Sequence, residues 1–172
     1  MKKIIHWFSE PPIDGISSIL IIRIMTGFVF FFEGILKFVY SNQGVGRFTK
    51  LAFPFPETTA HFVAICEIVG GLLLIIGLFT RIVAFYFIIE MMVAILSTKI
   101  SLYLGTSPLP LPPALPKVGI WAVEHESRTD FAQILTSLFL FIEGAGRLSF
   151  DFILRKKEKV FHFKELTPAH DM

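Results

Sequence analysis

Four stretches of largely apolar residues, at 17–40, 58–79, 82–103 and 129–152, take up just over half of this 172-residue chain. Each is at least about as long as the roughly 20 helical residues that cross the hydrocarbon core of a bilayer. None shows the in-out alternation of a membrane barrel strand. Backbone groups in lipid must be satisfied within their own segment, so the stretches are expected to be helices. They are apolar around the whole circumference, whereas a soluble four-helix bundle carries one apolar stripe per helix. The expected fold is therefore all-α, a four-transmembrane-helix bundle.

Composition excludes the other classes. The chain is 53% hydrophobic and 17% charged, with 20 phenylalanines against three tyrosines. A soluble domain averages about 25% charged residues, and one of this size buries only part of its surface. The hydrophobicity rules out disorder, and the single cysteine, Cys66, rules out a disulfide scaffold. A net charge of +2 gives no reason to expect nucleic acid. The direct partner is the lipid bilayer, with other membrane-protein subunits expected beside it.

Basic residues set the orientation. The cluster RKKEK at 155–159 directly follows the fourth stretch, so both termini are expected in the cytoplasm. Residues 1–16 read as an interfacial segment with Trp7 at headgroup level, 17–152 as the membrane domain and 153–172 as a basic tail. Two outer loops follow. One, GRFTKLAFPFPE, is aromatic. The other carries Pro108, Pro110, Pro112, Pro113 and Pro116, half of all ten prolines, and is expected to be stiff and extended. No internal repeat is visible.

Two motifs resemble a known family. EIVGGLLLIIGLFTR at 67–81 places a Glu before Gly70 and Gly71 and then a turn of Gly77, Thr80 and Arg81. GAGRLSFD at 144–151 supplies Gly144, Gly146, Ser149 and Asp151. Together with Arg23, Gly27, Gly34 and Lys37, they make the chain similar to DoxX-like integral membrane proteins from about residue 19 to 151. The resemblance implies a four-helix protein of a bacterial or archaeal cytoplasmic membrane. Some members work in sulfur or thiol redox reactions coupled to quinone, including thiosulfate:quinone oxidoreductase subunits, while many have no assigned activity. The proline-rich loop and basic tail elaborate on that pattern.

An ionisable residue inside a membrane span is costly, so it is a functional candidate by default. A rise of roughly 1.5 Å per residue puts Arg23, Glu90, Glu143 and Arg147 about 6–12 Å from the inner ends of their spans, as one inner polar layer. Glu67, Glu33 and His61 fall at roughly 18–27 Å, as an outer layer. Glu143 with Arg147, and Glu33 with Lys37, are each four residues apart and share a helix face. Gly70 and Gly71 lie on the side of Glu67 and let a neighbouring helix approach. The plain alternative for these charges is inter-helix packing without chemistry. The outer layer of Glu33, His61 and Glu67 is the candidate quinone or proton site. Carboxyl and imidazole groups exchange protons, and the phenylalanines would line a slot for the tail.

Other signals are weaker. Glu124, His125, Glu126 and Asp130 fall in the second outer loop at no defined metal-ligand spacing, and no metal is expected. No cofactor motif is evident in the sequence, and quinone is the one that the reading leaves open. Met91 and Met92 read as span filler, and Cys66 as a buried apolar thiol. The expected function is the membrane subunit of a redox system interacting with quinone or with thiol or sulfur electron donors. The alternative is a non-catalytic accessory subunit packed against a larger respiratory or photosynthetic complex. Solute transport is disfavoured by the lack of an inverted repeat or broken helix.

Overall fold

The computed structural model describes residues 17–156, and among them it is entirely helical outside turns and loops. The expected interfacial segment at 1–16 and the tail from residue 157 onward lie outside the described residues. Helix α1 spans Ile19–Val39, the short α2 spans Val45–Lys50, and α3 spans Pro56–Ile76. Helix α4 spans Thr80–Tyr103 and α5 spans Ile120–Glu143. Pro56 opens α3 at a position whose N–H has no intrahelical partner, which is where proline is tolerated. Gly77 closes it at φ 72°, with Leu78 N–H donating to the Leu73 carbonyl and Gly77 N–H to the Leu74 carbonyl, a Schellman ending.

Helices α1, α3 and α4 are long and apolar enough to cross a membrane. Their polarity is arranged inside out. Ile21, Phe28, Phe62, Ile65, Ile82 and Leu96 are exposed, whereas Arg23, Thr26, Glu67, Thr80 and Arg81 are buried. Lipid as the outer solvent makes that arrangement favourable, and water would not.

The packing is in antiparallel pairs. Helix α1 lies along α3, with Gly27 against Gly71 and Gly34 against Ala64. A Cβ on Gly27 would sit 2.6 Å from the Gly71 carbonyl oxygen, so both small residues are needed for this approach. Gly70 turns the other way and receives the Phe87 ring of α4. Helix α4 in turn lies along α5. Phe30 of α1 and Phe87 stack with centroids 3.6 Å apart, joining the pairs through the core with Leu74, Ala84 and Leu140.

The last helix differs from the sequence expectation. It runs from Ile120 to Glu143 rather than over 129–152. Gly144 and Gly146 adopt φ 81° and 72° and end it, so GAGRLSFD is a turn rather than the close of a span. Its start extends nine residues earlier, through EHESRTD, because charged residues that form helices well need no apolar run to stay helical. Glu124, His125, Glu126 and Asp130 therefore stand on α5 and not in a loop. Helical turns resume at 150–156.

Candidate functional site

Two buried polar constellations lie between the helices. The first is at the end of the bundle where α3 turns into α4. Asp151, more than 70 residues away in sequence, accepts hydrogen bonds from Phe79 N–H at 2.9 Å and Thr80 N–H at 3.1 Å. It caps the amino-terminus of α4, which has no cap from its own N-cap side chain. The Asp151 N–H returns a bond to the Gly77 carbonyl at 2.9 Å. Between them Phe79 holds φ 53°, a left-handed conformation that a bulky residue keeps only when its surroundings fix it.

Arg23 enters this turn from α1, 1% exposed. Its guanidinium donates to the Ala145 carbonyl at 3.0 Å and to the Leu148 carbonyl at 2.5 Å. Gly77 leaves the room for it, since a Cβ there would fall on Arg23 Nη1. Arg81 donates to the Ile142 carbonyl at 2.7 Å. Ser149 donates to the Gly146 carbonyl at 2.6 Å and accepts from Phe152 N–H at 3.1 Å, opening the 150–156 turns. The motif residues Gly77, Thr80, Arg81, Gly144, Gly146, Ser149 and Asp151 thus build one clasp that pins the 144–151 segment onto the α3–α4 turn.

The second constellation lies between α1, α3 and α4. The Lys37 ammonium, two residues from the end of α1, donates to Glu67 Oε1 at 2.7 Å and sits 2.5 Å from Oε2. Glu67 is 1% exposed and lies near the middle of α3. Glu90 of α4 is within side-chain hydrogen-bonding reach of Glu67 and of Tyr86, and Tyr86 in turn reaches Cys66. Three helices therefore bring one ammonium, two carboxyls, a phenol and a thiol together.

The expected layers are redistributed by this geometry. Arg23, Glu90, Glu143 and Arg147 do not form one inner layer. Arg23 belongs to the clasp and Glu90 joins Glu67, while Glu143 and Arg147 are exposed. With α5 ending at Glu143, that residue and Arg147 do not share a helix face. The outer trio is also separated. Glu67 is at the centre of the cluster, Glu33 is exposed though within electrostatic range of it, and His61 stacks on Phe38 with centroids 5.4 Å apart. The i,i+4 spacing along α1 points Lys37 toward Glu33, whereas its bond is to Glu67, and Tyr86 joins them without having stood out in the sequence. A signal was available, because the roughly 6 Å difference in depth between Glu67 and Glu90 is within the reach of two carboxyl side chains. Among the described residues, no three His, Cys, Asp or Glu side chains converge as a metal site would need.

Comparison with known proteins bears on the same chain. The DoxX family model matches residues 18–100. An uncharacterized membrane protein of Mycobacterium tuberculosis is 37% identical over 150 residues, covering 84% of this chain and 85% of that protein. A Bacillus subtilis protein named "Putative oxidoreductase CatD" is 28% identical over 140 residues, covering 81% and 89%. No solved structure is significantly similar.

Proposed function

Because this chain belongs to the DoxX family of membrane proteins, we propose that it is the membrane subunit of a redox system, with Lys37, Glu67 and Glu90 as its proton-handling centre. The observation that carries this reading is the Glu67 carboxyl, buried mid-bundle against Lys37 and beside a second carboxyl. A relative with oxidoreductase in its name supports it. In this reading α5 is the fourth span, both termini face the cytoplasm, and the membrane is the bacterial cytoplasmic membrane.

The cluster's charge arithmetic motivates the proton role. One ammonium balances one carboxylate, and in a low-dielectric interior the second carboxyl is neutral when the pair holds one proton. Releasing that proton would leave one buried carboxylate uncompensated, so its departure would have to be coupled to prompt reprotonation of the pair. The donor set suits a quinone head group. Lys37 and Tyr86 would donate to its carbonyls, and Glu67 and Glu90 would hold and hand over a proton. A quinone bound there would supply the two-electron acceptor chemistry. Lys37 then fixes the orientation of Glu67, and the surrounding apolar helices exclude water from the exchange.

The test is Glu67→Gln in protein extracted gently from its native membrane. The expected result is a folded protein with a lowered melting temperature, since Lys37 loses its counter-charge. Co-purified quinone should be lost and quinol turnover should fall on the order of 100-fold, the usual size of a general acid–base contribution. Unchanged quinone content and turnover would sink the proposal. Comigration with a large complex, without quinone in either form, would transfer the chain to the accessory-subunit reading.

A further inference from the structure

The opposite end of the bundle holds a cavity of about 350 Å³ that the redox reading does not use. Its wall brings together Arg47 and Lys50 of α2, Lys99 of α4, the Asn42 and Gln43 amides after α1, and a single acidic side chain, Glu126 of α5. Segment 107–113 closes one side. Pro110, Pro112 and Pro113 there have fixed φ and no N–H, so the wall holds its shape without a ligand.

Three cations and one carboxylate on one concave surface favour an anion. Lys99 forms an ion pair with Asp130 at 3.8 Å, which offsets part of that positive charge, but an ammonium has three N–H donors and the remaining ones can donate into the cavity. Arg47 lies 3.4 Å from Gln43 Oε1, a weak contact that a ligand oxygen can displace. A guanidinium fork with nearby ammonium groups is the recurring way to hold phosphate oxygens. The volume falls in the range of small-molecule sites, well above that of a single ordered water.

An independent observation fixes the cavity's level. Tyr40 at the end of α1, Tyr103 at the end of α4 and Trp121 at the start of α5 are all exposed at this same end. Tyrosine and tryptophan gather where a membrane meets water. The cavity thus opens at headgroup depth, where the phosphate of a phospholipid lies within reach of the three basic side chains.

We infer that this cavity is a phosphate-binding site, held by Arg47, Lys50 and Lys99, whose occupant is the headgroup of an anionic phospholipid. The site is separate from the Glu67 cluster and stands whether or not the redox reading does.

The experiment titrates the detergent-purified full chain with phosphatidylglycerol, phosphatidylcholine and inorganic phosphate, reading affinity by thermophoresis. Phosphatidylglycerol is expected to saturate and to outbind phosphatidylcholine. Arg47→Gln and Lys99→Gln should each weaken it about tenfold, the effect of losing one charge-assisted hydrogen bond. Glu126→Gln should tighten it, an opposite sign that general damage to the fold would not produce. If Arg47→Gln fails to fold, Lys50→Gln, at an exposed position, gives the same readout. Saturable binding of inorganic phosphate with the same variant pattern, and no preference among lipids, keeps the site and makes its ligand a soluble phosphate. No saturable binding of either, or affinities unmoved by the variants, overturns the inference.

Discussion

The clasp around Arg23 and the cluster around Glu67 hold the same kinds of groups, both inside the bundle, yet they are wired differently. In the clasp, the charges meet backbone. Arg23 donates to two carbonyls and Asp151 accepts from two N–H groups. Peptide groups do not titrate, so no proton can pass along those bonds from one partner to the other. In the cluster, Lys37, Glu67, Glu90 and Tyr86 meet one another side chain to side chain, and two of the partners are carboxyls, groups that can exchange a proton. Burial of a charge is therefore a poor guide to chemistry in this protein. The identity of its partner decides.

The largest expected effect tests the clasp. Arg23→Met leaves the buried Ala145 and Leu148 carbonyls without their donor, and stability should fall by about 2–5 kcal/mol, the cost of two unsatisfied acceptors. Thermal or denaturant unfolding in detergent would read it. A loss below about 1 kcal/mol would mean that the clasp is not holding the bundle together. Next in size is Asp151→Ala, which strips the amino-terminus of α4 of its cap and should cost about 1–2 kcal/mol. Asp151→Asn keeps an acceptor oxygen and should recover part of that loss. Equal losses in the two variants would contradict the capping role.

These regions were not equally legible in the sequence. The three qualifying spans follow from apolar runs of the right length, and the glycine pairs announced close helix approach. Gly77 and Asp151 were visible as motif residues, but their meeting depends on how the chain folds back across more than 70 residues, which no local pattern encodes. The bounds of α5 are hard to read for a related reason. Hydropathy followed the apolar run to residue 152, while the backbone stopped at Gly144, and the charged first turns of α5 hid the true start. Lys37 was assigned to Glu33 because i,i+4 spacing is readable along one helix. Its real partner lies on another, within reach of a long flexible stem.

Two smaller effects sharpen the contrast from the other side. Tyr86→Phe removes one hydroxyl from the cluster and should cost about 1 kcal/mol or less, the usual net value of a hydrogen bond. If Tyr86 helps to orient a bound quinone, quinone affinity should fall while melting barely moves. Unaltered quinone affinity would remove Tyr86 from the site.

The smallest stability change is expected from the most drastic alteration of charge. Lys37→Met combined with Glu67→Gln deletes the buried ion pair as a unit. The desolvation cost of both charges disappears with their attraction, so the balance should be near zero, within about 1 kcal/mol of wild type. Lys37→Met alone leaves Glu67 without its cation, and a protonated carboxyl can absorb much of that loss, because a proton can replace the missing charge. Arg23 has no such escape, since its partners are carbonyls and a guanidinium does not give up its proton. A double variant that folds normally, melts like the wild type and binds no quinone would separate the two regions cleanly. One that unfolds as readily as Arg23→Met would show that the cluster, too, exists to hold helices together.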